Sequence, residues 1–209
     1  GDHAMIEAAE ALATRLAIPR NAQDEYTIAS HIKASLARDA RRLSREIVAF
    51  RNKPDETRDE LVDEPDIDDL EAFPAILGDG TITAGNSSLP ADAATFVVVV
   101  SEHVYQELGR PPALVLEATA SLGVAPSADI EAPIIAARLL AERHGCPPLA
   151  DLDAIELGET SAVQAIAFRS VLDLPERILN ADGGQVARGQ PAGAASAVLP
   201  VRLFTRLVR

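Results

Sequence analysis

The residues best placed for chemistry lie in a glycine-rich stretch, residues 178–196. It opens with a short apolar segment that predicts a strand, and a loop containing Gly183, Gly184 and Gly189 follows. These glycines permit positive φ or close approach of the backbone, and Pro191 suits the first position of a following helix. N–H groups at a helix start carry partial positive charge, so the loop could hold an anion or an oxyanion. A plain strand-to-helix turn explains the same residues, and local chemistry alone favours it.

Other reactive side chains show no pattern typical of a site. Cys146 lies between a predicted helix and a proline pair, close to His144, and a structural loop cysteine is favoured over a nucleophile. The other histidines show no metal-ligand spacing with cysteine or with each other, so no metal site is predicted. They are His3, His31 and His103. The glycine-rich stretch matches neither the dinucleotide fingerprint nor the P-loop.

Composition excludes several classes of function. The 209 residues carry a formal net charge of −13, whereas nucleic-acid binding requires a basic surface. Apolar residues make up 47% of the chain, which is typical of a globular protein, but no apolar run approaches the roughly 20 residues of a membrane span. We expect no signal peptide, since the start has neither a basic segment nor an apolar core. The single cysteine excludes an internal disulfide and is compatible with a cytoplasmic location, which we expect.

Hydrophobic periodicity predicts alternating elements. The predicted helices are 5–17, 22–47, 102–108, 132–144 (with Gly145 as its stop), 162–171 and 192–208. The predicted strands outside the glycine-rich stretch are 93–100, 113–119 and 152–157. Residues 55–71 predict an acidic solvated loop, 70–77 a docking turn and 78–88 a polar loop. From residue 113 onward the order is β-α-β-α-β-α, which predicts a layered α/β domain.

Two parts of this pattern are incomplete. The 93–100 segment is typical of a strand buried on both faces, but the preceding residues predict mostly helix and loop. The last helix has no following strand to finish the sheet. A basic face on the second helix is attributed to solvation, or to pairing with the acidic loop, rather than to a ligand. It consists of Arg38, Arg41, Arg42 and Arg45.

The glycine-rich stretch resembles the thiolase pattern N-x-N-G-G-x-x-A-x-G-H-P-x-G-A-S-G. The residues that keep its frame are Asn180, Gly183, Gly184, Ala187, Gly189, Pro191, Gly193 and Ala194. The position of the catalytic histidine is Gln190. The scaffold of a catalytic loop is therefore present without its base.

Further matches occur in the same order as in thiolases. Residues 5–10 and 23–34 are similar to M-G-x-T-A-E and Q-D-E-F-A-x-x-S-H-x-K-A. Residues 83–88 match T-A-G-N-x-S, whose last serine, here Ser88, lies against the pantetheine arm of coenzyme A in the family. Residues 151–157 resemble the segment that leads into N-E-A-F-A. Together the matches span nearly the whole chain.

The resemblance implies an α/β fold, a thiolase-like layered α-β-α half with an inserted, mainly helical loop domain. Residues 1–88 would form the loop domain and 89–110 the last strand and helix of the N-terminal half. Residues 111–209 would form the C-terminal domain without its final hairpin. The nucleophilic cysteine of the first half and the C-x-G-G-G hairpin have no counterpart in the sequence. We therefore expect that a second polypeptide supplies the first half, in a homo- or hetero-oligomer, or that this sequence is a fragment of a longer protein.

The implied chemistry is thioester Claisen condensation or thiolysis, with an acyl-CoA as the possible substrate and no further cofactor. Three residues take catalytic family positions in degenerate form. Gln190 keeps an N–H donor but cannot shuttle a proton. Gly158 replaces the motif's asparagine, and Glu159 is either a helix-capping carboxylate or a catalytic one. The expected substrate-binding residues are Ser88, Gly183, Gly184 and Gly189.

Two hypotheses follow. The first is a chain that contributes loop and C-terminal domains to an acyl-CoA acyltransferase assembly and is inactive alone. The alternative is a catalytically degenerate scaffold or interaction subunit of a thiolase-like complex. The replacements at Gly158 and Gln190 favour the scaffold, while the glycine frame and Ser88 favour a retained pocket.

Overall fold

A computed structural model describes residues 2–44, 46–49, 51–52, 62, 65–144 and 146–208. Most of the predicted acidic loop, Arg45 of the basic face and Gly145 lie outside these residues. The α-helices of the described part are α1 (Asp2–Arg15), α2 (Arg20–Asp39), α3 (Ile67–Glu71), α4 (Glu102–Glu107), α5 (Ala132–His144), α6 (Ala162–Val171), α7 (Gln185–Arg188) and α8 (Ala195–Leu207). Short 3₁₀ segments occupy Pro126–Glu131, Leu149–Asp151 and Glu176–Ile178.

The main hydrophobic core forms where α1 packs against α6 and the 3₁₀ segment Pro126–Glu131. In α1 the buried residues recur at helical spacing, as the periodicity predicts. They are Ala8, Ala9, Leu12 and Ala13. Ile82 from the polar loop and Leu179 from the glycine-rich stretch join the same core. The start of the chain and its final third therefore share one core.

Helix α2 is shorter than predicted. It ends at Asp39 rather than near residue 47, because Arg41 takes a left-handed conformation with φ of 54°. The Arg42 N–H then donates to the Ala37 carbonyl at 3.0 Å, and the Arg41 N–H to the Arg38 carbonyl at 2.9 Å. This pair of bonds is a Schellman motif, which stops the helix without a glycine.

The predicted β-strands are largely absent from the described residues, where β pairing is confined to isolated bridges. Segments 93–100 and 113–119 have no regular secondary structure, so both strand predictions are wrong for this structure. Phe96, Val98 and Val99 are 91%, 86% and 85% exposed. Apolar β-branched residues favour a strand, but a strand also needs a neighbour to bond with. No other described segment pairs with these two.

Segment 152–157, predicted as a strand, forms an isolated parallel β-bridge. Ile155 bridges Leu179, with the Ile155 N–H donating to the Ile178 carbonyl at 2.7 Å. The Asn180 N–H returns a bond of 2.9 Å to the Ile155 carbonyl. This contact holds the start of the glycine-rich stretch beside the segment that leads to Glu159.

The position of Pro191 differs from the prediction. Helix α8 begins at Ala195, and Pro191 instead starts the preceding turn, where its carbonyl accepts from the Ala194 and Ala195 N–H groups at 2.9 and 2.8 Å. The short helix α7 lies inside the stretch predicted as a loop. No helix in the described ranges is both long and apolar enough to cross a membrane.

Candidate active site

Backbone hydrogen bonds bring three predicted site segments together. The Ser88 N–H donates to the Thr160 carbonyl at 3.0 Å, and the Gln190 N–H donates to the Leu89 carbonyl at 2.7 Å. The Ser88 hydroxyl also donates to the backbone carbonyl of Glu159 at 2.8 Å. The segment around Ser88 therefore lies between the segments that carry Glu159 and Gln190, although the three are far apart in sequence.

Glu159 is fully buried, and three donors hold its carboxylate. The Tyr26 hydroxyl of α2 donates to Oε2 at 2.7 Å, and Asn180 Nδ2 donates to the same oxygen at 2.9 Å. The Val186 N–H donates to Oε1 at 3.1 Å. Both oxygens are occupied, so the carboxylate holds α2 and the glycine-rich stretch together.

Burial has the largest effect on the pKa of the Glu159 carboxyl group. It raises the pKa of Glu159 from 4.5 to about 7, while the hydrogen bonds from Tyr26, Val186 and Asn180 lower it. Burial also raises the pKa of the Tyr26 hydroxyl well above 10, and the nearby Glu159 charge adds to that effect. Tyr26 therefore stays a neutral donor at physiological pH.

The two adjacent glycines are sites of close backbone approach. Gly183 has φ of 87°, and a Cβ there would lie 2.7 Å from both the Ala34 Cβ and the Ser30 carbonyl oxygen of α2. A Cβ on Gly184 would overlap the Glu159 carboxylate. The Gly184 N–H donates to Ser30 Oγ at 2.9 Å. Among the described residues the Val186 N–H donates to Glu159, so this N–H group of the loop is already engaged by the chain's own carboxylate.

The remaining predicted site positions are Gly189, Gln190 and Gly158. Gly189 is buried and follows α7, with its N–H donating to the Gln185 carbonyl at 2.8 Å. The next residue, Gln190, is half-buried. Gly158 is half-buried too, and a Cβ there would meet only Leu199 Cδ1 at 3.6 Å and Gln185 Oε1 at 3.8 Å. The motif has a variable position at Gln185, so sequence reasoning did not single it out.

Ion pairs link the glycine-rich stretch and segment 152–157 to α8 and to the residues after α2. Arg42, just after α2, pairs with Asp182 at 2.8 Å, and Arg206 of α8 approaches the same carboxylate at 3.7 Å. Arg42 of the basic face therefore pairs with the glycine-rich stretch. Arg202 pairs with Glu156 at 3.1 Å. Burial raises the pKa of Glu156, and Arg202 opposes that rise.

The isolated reactive residues do not gather into a second site. Cys146 is half-buried, and its Sγ lies 3.8 Å from the Leu140 carbonyl oxygen of α5, in line with a structural role. His103 lies on exposed α4 near Glu107. In the part of the chain that the structure describes, no three His, Cys, Asp or Glu residues are grouped so as to hold a metal ion.

Comparisons with known proteins show the family of this chain. The thiolase N-terminal domain model matches residues 2–103, and the thiolase C-terminal domain model matches residues 110–209. The chain therefore belongs to the thiolase family.

Relatives and solved structures point the same way. The putative acetyl-CoA C-acetyltransferase VraB of Staphylococcus epidermidis is 34% identical over 205 residues, covering 97% of this chain and 53% of that protein. The probable acetyl-CoA acetyltransferase of Escherichia coli K12 is 36% identical over 208 residues, with 96% and 53% covered. The crystal structure of human mitochondrial 3-ketoacyl-CoA thiolase in complex with CoA superposes with a TM-score of 0.87 at 29% identity, over 97% of this chain and 52% of that one. The thiolase-like fold is thus confirmed, and the chain spans about half the length of these relatives.

Proposed function

We propose that this chain contributes the loop and C-terminal domains of an acyl-CoA acyltransferase assembly, and that it is inactive alone. The reaction would be thioester Claisen condensation or thiolysis. The observation that carries the proposal is the convergence of Ser88, Glu159 and Gln190 through backbone hydrogen bonds, at the positions of three separate thiolase motifs. The names of the acetyl-CoA acetyltransferase relatives support the same substrate class.

The residues of this chain would bind the thioester and polarise its carbonyl group rather than transfer protons. Gln190 can donate an N–H to a thioester oxyanion, but its carboxamide does not titrate in a useful range. Glu159 has both oxygens engaged by donors, so its role is to position the loop. The nucleophilic thiolate and the proton-transfer group would come from residues outside this sequence.

The exposed apolar segments support a partner. Residues 93–100 and 113–119 present large apolar side chains to solvent, with Val115 and Leu116 81% and 77% exposed. Exposed apolar patches of this kind mark interaction surfaces. We propose that strands of the missing thiolase half cover them, with 89–110 completing that half and 111–209 forming the C-terminal domain. The single cysteine and the bacterial relatives favour a cytoplasmic setting.

A scaffold role is the second candidate. Gly158 has no side-chain donor, and Gln190 has no titrating group, so two catalytic positions are replaced together. A subunit that only stabilises an active partner would retain the packed loop and lose the chemistry.

A thiolysis assay distinguishes the acyltransferase assembly from the scaffold role. The purified chain is incubated with acetoacetyl-CoA and CoA, alone and with a thiolase-type N-terminal polypeptide that carries a cysteine in a glycine-rich strand-to-helix turn. We expect no turnover alone and turnover in the mixture, with Gln190→Ala lowering kcat by about 100-fold.

The matched control is Gln106→Ala, on exposed α4, which should leave kcat unchanged. A complex that forms without CoA and shows no turnover would favour the scaffold. Turnover by the chain alone would contradict the proposed dependence on a partner.

A further inference from the structure

Tyr26 of α2 brings a hydrogen-bond donor that the thiolase pattern does not have. That pattern, Q-D-E-F, has phenylalanine at the position of Tyr26. In this chain the ring packs against the main hydrophobic core, and the hydroxyl donates to Glu159 Oε2 at 2.7 Å. The side chain therefore combines the packing of an aromatic ring with a bond to a fully buried carboxylate.

One face of α2 contacts the glycine-rich stretch at successive turns of the helix. Tyr26, Ser30 and Ala34 are four residues apart and so lie on the same face. Ser30 Oγ accepts from the Gly184 N–H at 2.9 Å. A Cβ on Gly183 would lie 2.7 Å from the Ala34 Cβ. The glycine-rich stretch is therefore held against this face, and the Tyr26 bond is the first of these contacts along the helix.

Glu159 is bonded to both segments that hold Gln190. Its Oε1 accepts from the Val186 N–H of α7 at 3.1 Å, and α7 ends two residues before Gln190. Its backbone carbonyl accepts from the Ser88 hydroxyl at 2.8 Å. The neighbouring Leu89 carbonyl accepts from the Gln190 N–H at 2.7 Å. A shift of Glu159 would therefore reach Gln190 from two sides.

We propose that Tyr26 is a positioning residue, which acts through Glu159 on the placement of Gln190. The bond between α2 and Glu159 stands on the geometry, whereas the use of Gln190 as an oxyanion donor rests on the proposed function. The other charged groups that act on this pair are Glu156, on the same segment as Glu159, and Arg169 of α6.

Removal of the hydroxyl alone tests the link without any substrate. Glu159 is titrated by NMR of carboxyl-labelled glutamate in the full parent chain and in Tyr26→Phe, and Glu159→Gln assigns the signal. In Tyr26→Phe we expect the pKa of Glu159 to rise above the parent's value of about 7, because the Tyr26 hydrogen bond that lowers it is gone. At neutral pH the Val186 amide should exchange about tenfold faster, since its acceptor is then more often protonated.

The matched control is Tyr105→Phe, at the chain's other tyrosine. Tyr105 lies on α4, and its substitution should leave the titration of Glu159 and the exchange of Val186 unchanged. If Tyr26→Phe lowers stability while both measurements match the parent, the hydroxyl has a packing role only, and the proposal is overturned.

Kinetics in the complex with a thiolase-type N-terminal polypeptide tests the effect on Gln190. We expect Tyr26→Phe to lower kcat for acetoacetyl-CoA thiolysis about tenfold and to leave KM unchanged, because the positioned donor acts in the transition state. In a Gln190→Ala background the same substitution should have no further effect, since the donor is absent.

Equal losses of kcat in the two backgrounds would overturn the action of Tyr26 on Gln190. If the parent complex shows no turnover, the proposed function fails. The titration and the exchange of Val186 then still decide whether Tyr26 holds the glycine-rich stretch through Glu159.

Discussion

Glu159 is the residue on which the site's internal geometry depends most. Its two oxygens accept from α2, from Asn180 and from the backbone of α7, so one buried carboxylate fixes three elements. The enclosing contacts leave no room for a side chain on Gly184. Three donors satisfy the hydrogen-bonding capacity of this buried carboxylate, but burial removes the hydration of its charged form.

The first prediction concerns pH. Burial raises the pKa of Glu159 from 4.5 to about 7, so the folded state binds more protons than the unfolded state between these values. Stability from this group therefore falls as pH rises through that window, by about 3 kcal/mol. Urea unfolding at several pH values should show this decline in the parent and not in Glu159→Gln.

Glu176 provides a control of opposite sign. The hydrogen bond from Lys33 lowers its pKa, so its contribution is present above its unfolded pKa and is lost as pH falls. In Glu176→Gln, the loss of stability that this group causes as pH falls should therefore disappear. Parallel pH curves for the parent and Glu159→Gln would contradict the assignment.

The second prediction concerns the glycines. Gly184→Ala should lower the free energy of unfolding by roughly 1–3 kcal/mol, because the new methyl group displaces the Glu159 carboxylate. Gly193→Ala is the matched control, since a Cβ there meets nothing within 4 Å. Its effect should stay within about 0.5 kcal/mol. Equal effects of the two substitutions in urea unfolding would refute the close approach at Gly184.

The proximity of the predicted site segments could be predicted from the sequence, whereas their individual contacts could not. The order of motifs placed Ser88, Glu159 and Gln190 in one site, and the structure brings their backbones together. The bond from Tyr26 to Glu159 joins residues 133 positions apart and depends on how α2 packs. Gln185 lies at a variable motif position, so its orientation could be known only from the fold.

At the level of elements, the end of α2 departs furthest from the helix predictions. Helices α1, α2 and α6 are followed by left-handed residues that are not glycine: Ala17, Arg41 and Asp173. In each case a Schellman bond crosses the helix end, such as the Leu174 N–H to the Arg169 carbonyl at 2.9 Å. Without a glycine the sequence carries no local stop signal, so the apolar pattern of α2 continues past its actual end.

The third prediction follows from the end of α2. Arg41→Gly should stabilise the protein by about 1 kcal/mol, because glycine adopts the observed φ of 54° without the steric cost that a Cβ imposes. Glu25→Gly, at an exposed interior position of the same helix, should destabilise it by about 0.5–1 kcal/mol. Chemical denaturation of both variants checks the opposite signs. Destabilisation by Arg41→Gly would contradict the described helix end.

The strands were predicted from composition. In the structure, strand-like composition leads to β pairing only where a neighbouring segment is available. Segment 152–157 keeps one bridge because Leu179 lies beside it. Segments 93–100 and 113–119 have the residues of buried strands and no described neighbour to bond with. That partner strands cover these segments stays a prediction, and their apolar side chains are exposed in this structure.

At the scale of the whole molecule, a packed hydrophobic core and exposed apolar segments occur in the same chain. Helices α1 and α6 enclose a well-packed apolar cluster that spans both matched thiolase domains. Salt bridges from α8 reach Asp182 of the glycine-rich stretch and Glu156 of segment 152–157. By contrast, the two irregular apolar segments lie exposed on the surface of the same chain. This contrast is the main physical argument for the proposed assembly with a second polypeptide.

Hydrogen exchange at residues 93–100 tests that central claim most directly. In the chain alone we expect these amides to exchange nearly as fast as in an unstructured peptide, while α6 is strongly protected. In the complex with a thiolase-type N-terminal polypeptide, exchange at 93–100 should slow by at least about 100-fold as strand hydrogen bonds form. Strong protection of 93–100 in a stable monomer of this chain, or no change on mixing, would contradict the account.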